Sequence, residues 1–430
     1  MFRSLFFLLP VICLSIGKSS AQTFWTDAAE TTLSNVQPRY VHPERYRLVK
    51  NDFTQLRAAL NSIPATQFLP GAKALPMLSL PDPDGQICRF YLSETPVMAP
   101  ELQAKYPDIR TYTGYACDNP SIRIKCDLTP HGFHAFVQGD PRGSWLIEPY
   151  SPEAKEYGIA YYKADRRPSG TARHFSCGIP GMPHVVPDKD ASPTLQRKAT
   201  GSDGLWRKYR LALSCTGEYA AFHGGTKRSV LAAMVTSMHR VNGVYENEFA
   251  VTMEISSRND TLIFLDKDTD PFDNGNGGAM LGQNQTTCDA RIGGGNYDIG
   301  HVFSTGGGGV AGLGVVCRNG SKANGVTGQS APIGDYFDID YVAHEMGHQF
   351  AGNHTQNNSC NRSDDTAVEP GSGSTIMAYA GICAPDVQMH SDDYFHRLNV
   401  EEVIQFITTG SGNGCRSKIQ LDNIAPFVEA

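Results

Sequence analysis

His344-Glu345-Met346-Gly347-His348-Gln349-Phe350-Ala351-Gly352-Asn353-His354 is followed, after a stretch rich in Asn, Ser and Gly, by Ser374-Thr375-Ile376-Met377-Ala378-Tyr379. On a helix, residues four apart share one face about 5–6 Å apart, so His344 and His348 can aim their imidazoles at one ion. Glu345, one residue along, is turned partly aside and can hold a water instead of ligating the metal. Three neutral ligands, one open position and a general base are what a zinc hydrolase needs. His354 lies six residues beyond His348, too far for the same face unless the chain turns sharply, and Gly352 offers a permissive backbone for that turn.

The spacing resembles the metzincin pattern H-E-x-x-H-x-x-G-x-x-H, and within it the reprolysin-like secreted metalloproteases. Ala351 stands where that pattern has Gly. Either Ala351 carries a strain of roughly 1 kcal/mol at positive φ, or the turn has moved to Gly352. By the same resemblance Met377 belongs to a Met-turn forming an apolar base beneath the zinc, and the Tyr379 hydroxyl steadies the oxyanion. The implied fold is mixed α/β (α+β): a twisted sheet with an edge strand over the cleft, an active-site helix and the Met-turn. The segments 298–303 and 309–317 resemble that edge strand, against which an extended peptide would pair.

Residues 1–21 carry Arg3, an apolar run from Leu5 to Ile16 and Ser19-Ser20-Ala21, the pattern of a cleaved secretory signal. The run is too short to span a bilayer. The 430-residue chain has 37 Lys and Arg against 44 Asp and Glu, with no basic run, which argues against nucleic acid and membrane surfaces as partners. A secreted, extracellular protein acting on proteins or peptides is expected. The alternative from another class is a noncatalytic secreted binding protein with a structural zinc. Glu345 argues against it, because structural sites close their fourth position with a protein ligand.

Residues 22–204 form the expected N-terminal unit, with alternating strands at 86–92, 122–126 and 132–137. Its Thr95–Leu102 and Tyr112–Tyr115 resemble the propeptide of bacterial secreted reprolysin-like proteases, so the chain is expected to be a zymogen partnered by its own propeptide. His131, His134, His174 and His184 lack metal spacing and read as hydrogen-bonded or surface residues. A Pro-, Gly- and Ser-rich linker precedes residue 204, with Arg197-Lys198 and Arg166-Arg167 as processing points. Cys177, in Ser176-Cys177-Gly178-Ile179-Pro180, resembles the cysteine switch of metzincin zymogens.

The catalytic domain is expected at 205–416: a strand at 207–213, a helix at 226–244, strands at 249–255 and 260–265, and a last helix at 400–407 capped by Asn399, before a linker at 417–430. Asp266, Asp268, Asp270, Asp273 and Asn274 are a possible calcium loop, although no Gly or closing Glu completes an EF-hand. Of the 11 cysteines, Cys13 lies in the signal, four lie between it and residue 204, and six follow. The family resemblance implies Cys317–Cys415 and Cys360–Cys383, which would leave Cys215–Cys288. A free Cys177 leaves one of Cys88, Cys117 and Cys126 unpaired; four paired cysteines leave no switch thiol.

Overall fold

The computed structural model describes residues 24–33, 39–65, 76–166, 177–178, 203–306, 308–415 and 417–421. Residues 1–21, His174, His184 and Arg197-Lys198 lie outside them. In chain order the strands are β1 Trp25–Asp27, β2 Arg47–Asn51, β3 Met77–Pro81, β4 Ile87–Glu94, β5 Arg110–Ala116, β6 Arg123–Thr129, β7 Gly132–Gln138, β8 Trp145–Pro149, β9 Tyr157–Tyr162, β10 Cys177–Gly178, β11 Leu205–Cys215, β12 Val251–Ile255, β13 Ile299–Ser304, β14 Gly308–Ala311, β15 Gly325–Gly328 and β16 Ser417–Gln420. The helices are α1 Phe53–Asn61, α2 Pro100–Lys105, α3 Gly217–Phe222, α4 Lys227–Phe249, α5 Gly277–Arg291, α6 His344–Gln349 and α7 Arg397–Thr408.

β1 to β9 make one antiparallel sheet in the order β1-β2-β9-β8-β7-β6-β5-β4-β3. Alternation gives it two working faces. Ile124, Cys126 and Leu128 of β6 join Phe133, Ala135 and Val137 of β7 in this sheet's own core. The residues between them turn the other way. Asp127 accepts from Thr236 Oγ1 (3.1 Å) and Lys125 pairs with Glu246, both partners lying on α4.

The second sheet runs β10-β14-β15-β13-β11-β12, with β16 alongside β11. β11, β12, β13 and β15 are parallel, and parallel neighbours need a crossover; α4 supplies the one from β11 to β12. Thr226 caps α4 in a reciprocal box with Ser229. One side of α4 sends Leu231, Met234, Val235, Met238 and Val241 into the core. The other side is polar and lies against the first sheet: His239 Nε2 meets Tyr112 O at 2.9 Å, Arg240 pairs with Glu148 at 2.9 Å, and Arg228 pairs with Asp108. The two sheets therefore meet through matched charges as well as through apolar contacts.

Several expectations change. Residues 260–265 are not a strand: a short 3-10 turn at Asn259–Thr261 precedes a single bridge between Cys215 and Ile263. The Asn259 side chain bonds both the amide and the carbonyl of Leu213 (2.8 Å each), occupying the groups another strand would use. Helix α5 has no apolar stripe to reveal it; Asn276 caps it, and buried Asn284 and Gln285 bond Ala323 through its carbonyl and amide. Helix α7 starts at Arg397 under a His396 cap, while Asn399 Nδ2 donates to Asn353 O beside His354. Of the two segments likened to an edge strand, β13 runs inside the sheet and β14 lies toward its margin. The expected linker begins as β16, antiparallel to the start of β11. Arg166 is packed against Tyr336, 5.2 Å from its ring centroid, and Arg167 lies outside the described residues. No helix among the described residues is long and apolar enough to cross a membrane.

Candidate metal centre

Widened π-type turns at Tyr336–Ala343 lead directly into α6, which sets the His344 and His348 rings 4.8 Å apart. The helix stops at Phe350, and Ala351 turns the chain at φ 76°. Ala351, not Gly352, takes the left-handed conformation, so the turn stays where the family pattern has Gly. Gly352 serves differently: its carbonyl accepts from His348 Nδ1 at 2.7 Å, and a Cβ there would come within 3.2 Å of Gly347 O. The turn brings the His354 ring to 4.6 Å from His348.

One potential ligand nitrogen from each of His344, His348 and His354 lies within 4.8 Å of the others, and all three side chains are buried. Each ring is fixed from behind. Nδ1 of His344 donates to Ile376 O, that of His348 to Gly352 O and that of His354 to Asn361 O, each at 2.7 Å. That tautomer, assigned from the hydrogen bonds, leaves every Nε2 with a lone pair. Burial pushes His344 down to about 4, His354 down to about 3 and His348 well below its ordinary value, so the rings are neutral near pH 7. His348 Nε2 and His354 Nε2 then stand 3.0 Å apart as two acceptors, an approach that a shared cation explains and a direct hydrogen bond between them does not. The donor set fits zinc.

Glu345 is fully buried, and a Cβ at Gly309 of β14 would overlap its carboxylate. Glycine at that position lets the sheet margin close on the acid. Met377 is buried, with its thioether against Gly347, between the two helical histidines. The Tyr379 ring lies 4.7 Å from that of His354 and 5.8 Å from that of His344, and its hydroxyl accepts from Asn361 Nδ2 at 3.2 Å. The structure thus brings His344, His348, His354 and Tyr379 together, with Met377 against Gly347 and Glu345 against Gly309. Of Cys177 only the backbone is described: β10 runs parallel to β14, with Cys177 opposite Gly309.

Sequence reasoning missed Glu369. Its buried carboxylate accepts from Thr355 Oγ1 (2.5 Å), Thr375 Oγ1 (2.5 Å), Ser374 N (2.9 Å) and Thr375 N (3.1 Å). It joins the residue after the third histidine to the two residues before Ile376. A lone Glu in a polar loop has no spacing to mark it; only the paired threonines on either side hint at a role.

The acidic loop does not assemble a cation site. Asp270 accepts from the Gly217 and Phe272 amides, Asp266 from that of Asp268, and among the described residues only the three histidines cluster as metal ligands. Disulfides join Cys317 to Cys415 and Cys360 to Cys383, as the resemblance implied. Cys215 and Cys288 stay unbridged, because Cys215 packs in the core with α4 and Cys288 in a separate cluster with Ala212. Cys88, Cys117 and Cys126 are also free thiols. His131 and His134 are hydrogen-bonded, to Ser229 O (2.7 Å) and Asp127 (2.8 Å).

A search of curated proteins found no match to the chain. The family model for metallo-peptidase family M12B, reprolysin-like, matches residues 206–401, from β11 into α7. That span holds the cluster of three histidines together with buried Glu345 and Met377, and residues 206–401 of this chain belong to the reprolysin-like metallopeptidases, a family of zinc enzymes.

Proposed function

We propose that the chain is a secreted zinc endopeptidase made as a latent zymogen, in which 22–204 is the propeptide domain and 205–416 the catalytic domain. The observation that carries it is the set of three neutral imidazoles, each fixed through Nδ1, with the Glu345 carboxylate alongside against β14. Zinc bound by His344, His348 and His354 would supply Lewis acidity toward a peptide carbonyl and a water molecule. Glu345 takes a proton from the attacking water and returns it to the leaving amine. The Tyr379 hydroxyl donates to the oxyanion as it develops. Met377 packs beneath the helical ligands and keeps their spacing, and substrate is held as an added strand at β14.

Latency is supported by the pairing of β10 with β14. The chain's own backbone already uses that margin, with Cys177 in register with the glycine that faces Glu345. A thiolate delivered there is a stronger zinc ligand than water. The test is chelator-sensitive cleavage of casein by protein cut between 179 and 202. Activity lost with chelator and restored by zinc is expected; casein hydrolysis untouched by stripping the metal overturns the reading. Cys177→Ala should make the uncut chain active, and an equally latent variant would leave steric cover as the cause.

A further inference from the structure

The Lys163 ammonium, on the N-terminal side, is buried among three carboxylates of the other unit: Asp393 Oδ1 at 2.6 Å, Asp335 Oδ2 at 3.0 Å and Asp340 Oδ1 at 3.5 Å. All four side chains are less than a tenth exposed. A cluster of acids alone would say little, but here a cation is seated in it. Asp335 Oδ1 also has no hydrogen-bond partner among the described residues. From the metal-centre side three carboxylates face the ammonium.

This pocket shares its walls with the histidine site. Asp340 precedes Tyr341, which packs with Tyr379 and Cys383, and Tyr379 stands over His344 and His354. Asp393 lies between Asp392, whose amide bonds Ser374 O (2.7 Å), and Tyr394, whose carbonyl takes the amide of Ile376 (3.1 Å). Ile376 O in turn orients His344. The segments that carry Asp340 and Asp393 thus also carry the contacts that hold Tyr379 and Ile376 at the histidine site.

We infer that Asp335, Asp340 and Asp393 form a lysine-binding pocket, plugged by Lys163 in the intact chain and opened to a lysine side chain of the polypeptide substrate when the N-terminal unit leaves. The inference rests on the reading of the chain as a zymogenic peptidase. With Lys163 gone the three clustered carboxylates repel one another without a cation, and a compact ammonium restores the balance. A guanidinium is planar and larger than the group now seated there, so lysine is favoured over arginine.

Two measurements test it. In the full chain, Lys163→Ala should lower the melting temperature, and n-butylammonium at millimolar concentration should recover part of the loss while n-butanol does not; wild type should respond to neither. In the cut protein, peptides differing only in one lysine replaced by norleucine should differ about 10- to 100-fold in kcat/KM at one position, and Asp393→Asn should shrink that ratio. Rescue by butylammonium with no lysine preference at any position would reduce the pocket to a domain lock and overturn the substrate assignment. Absence of both effects overturns the pocket altogether. If no peptide is cut by zinc-loaded protein the peptidase reading falls, and the rescue experiment still decides whether the pocket takes an ammonium.

Discussion

Replacing Glu369 by Gln tests whether the loop between the third histidine and Met377 is held by charge. Glu369 Oε2 accepts from the Thr355 and Thr375 hydroxyls, and Oε1 from the amides of Ser374 and Thr375. The amide oxygen of Gln can keep the two backbone donors, which places its NH2 against the two hydroxyls. Two charge-assisted bonds, each worth about 1.5–3 kcal/mol, then become neutral ones worth about 0.5–1.5 kcal/mol. The expected loss is about 2 kcal/mol, read as a lower urea midpoint with an unchanged slope in metal-stripped protein. Because Thr355 follows His354 directly and Thr375 precedes Ile376, whose carbonyl orients His344, zinc affinity by competition with a chelator should also fall about 10- to 100-fold. An unchanged midpoint and unchanged chelator competition would show that the loop is held by its backbone and by Cys360–Cys383 alone. A lower midpoint with intact zinc affinity would confine Glu369 to stability.

His354→Ala should lose zinc and activity together, measured by metal analysis of the purified protein, whereas Glu345→Gln should keep its zinc and turn over at least ~10³-fold more slowly. Tyr379→Phe should cost about 10–10³-fold in kcat if its hydroxyl meets the oxyanion; an unaltered rate makes it a packing residue. Arg240→Met leaves Glu148 and Asp338 buried without their shared cation and should destabilise the uncut chain by about 3–5 kcal/mol by urea unfolding. Burial, opposed by Arg240, already pushes Asp338 up to about 6, above its unfolded value. That carboxyl therefore stabilises the fold below about pH 4 and loses its contribution as pH rises through 6. Without Arg240 the folded value rises further, so the deficit of the variant against wild type should be larger at pH 8 than at pH 4.

The site was legible because metal chemistry fixes residue type and spacing together. His344, His348 and His354 had to be three histidines at those separations, and Met377 and Tyr379 gained meaning from their distance to them. The period-two strands of the first sheet and the long apolar stripe of α4 were legible for the same reason, since one side of each is buried. Legibility failed where polar side chains do the holding. Helix α5 is secured by Asn276, Asn284 and Gln285, the place of a third strand is taken by Asn259, and Glu369 ties two loops with four bonds from one carboxylate. None of these leaves a periodic trace, because each rests on isolated polar contacts and not on a repeated apolar position.

Ala351 shows the same division at a single residue. The sequence left two outcomes open, a strained alanine or a turn displaced to Gly352, and the structure places φ 76° at Ala351. The reason is that Gly352 is already committed: its carbonyl orients His348 and its α-carbon lies close under Gly347 O. Moving the left-handed residue one position along would swing that carbonyl away and release the His348 ring, so the histidine geometry forces the strain onto Ala351. The strain, roughly 1 kcal/mol, is small beside the loss of a metal ligand. Ligand spacing is thus the constraint that this turn obeys, and the identity of the turning residue follows from it.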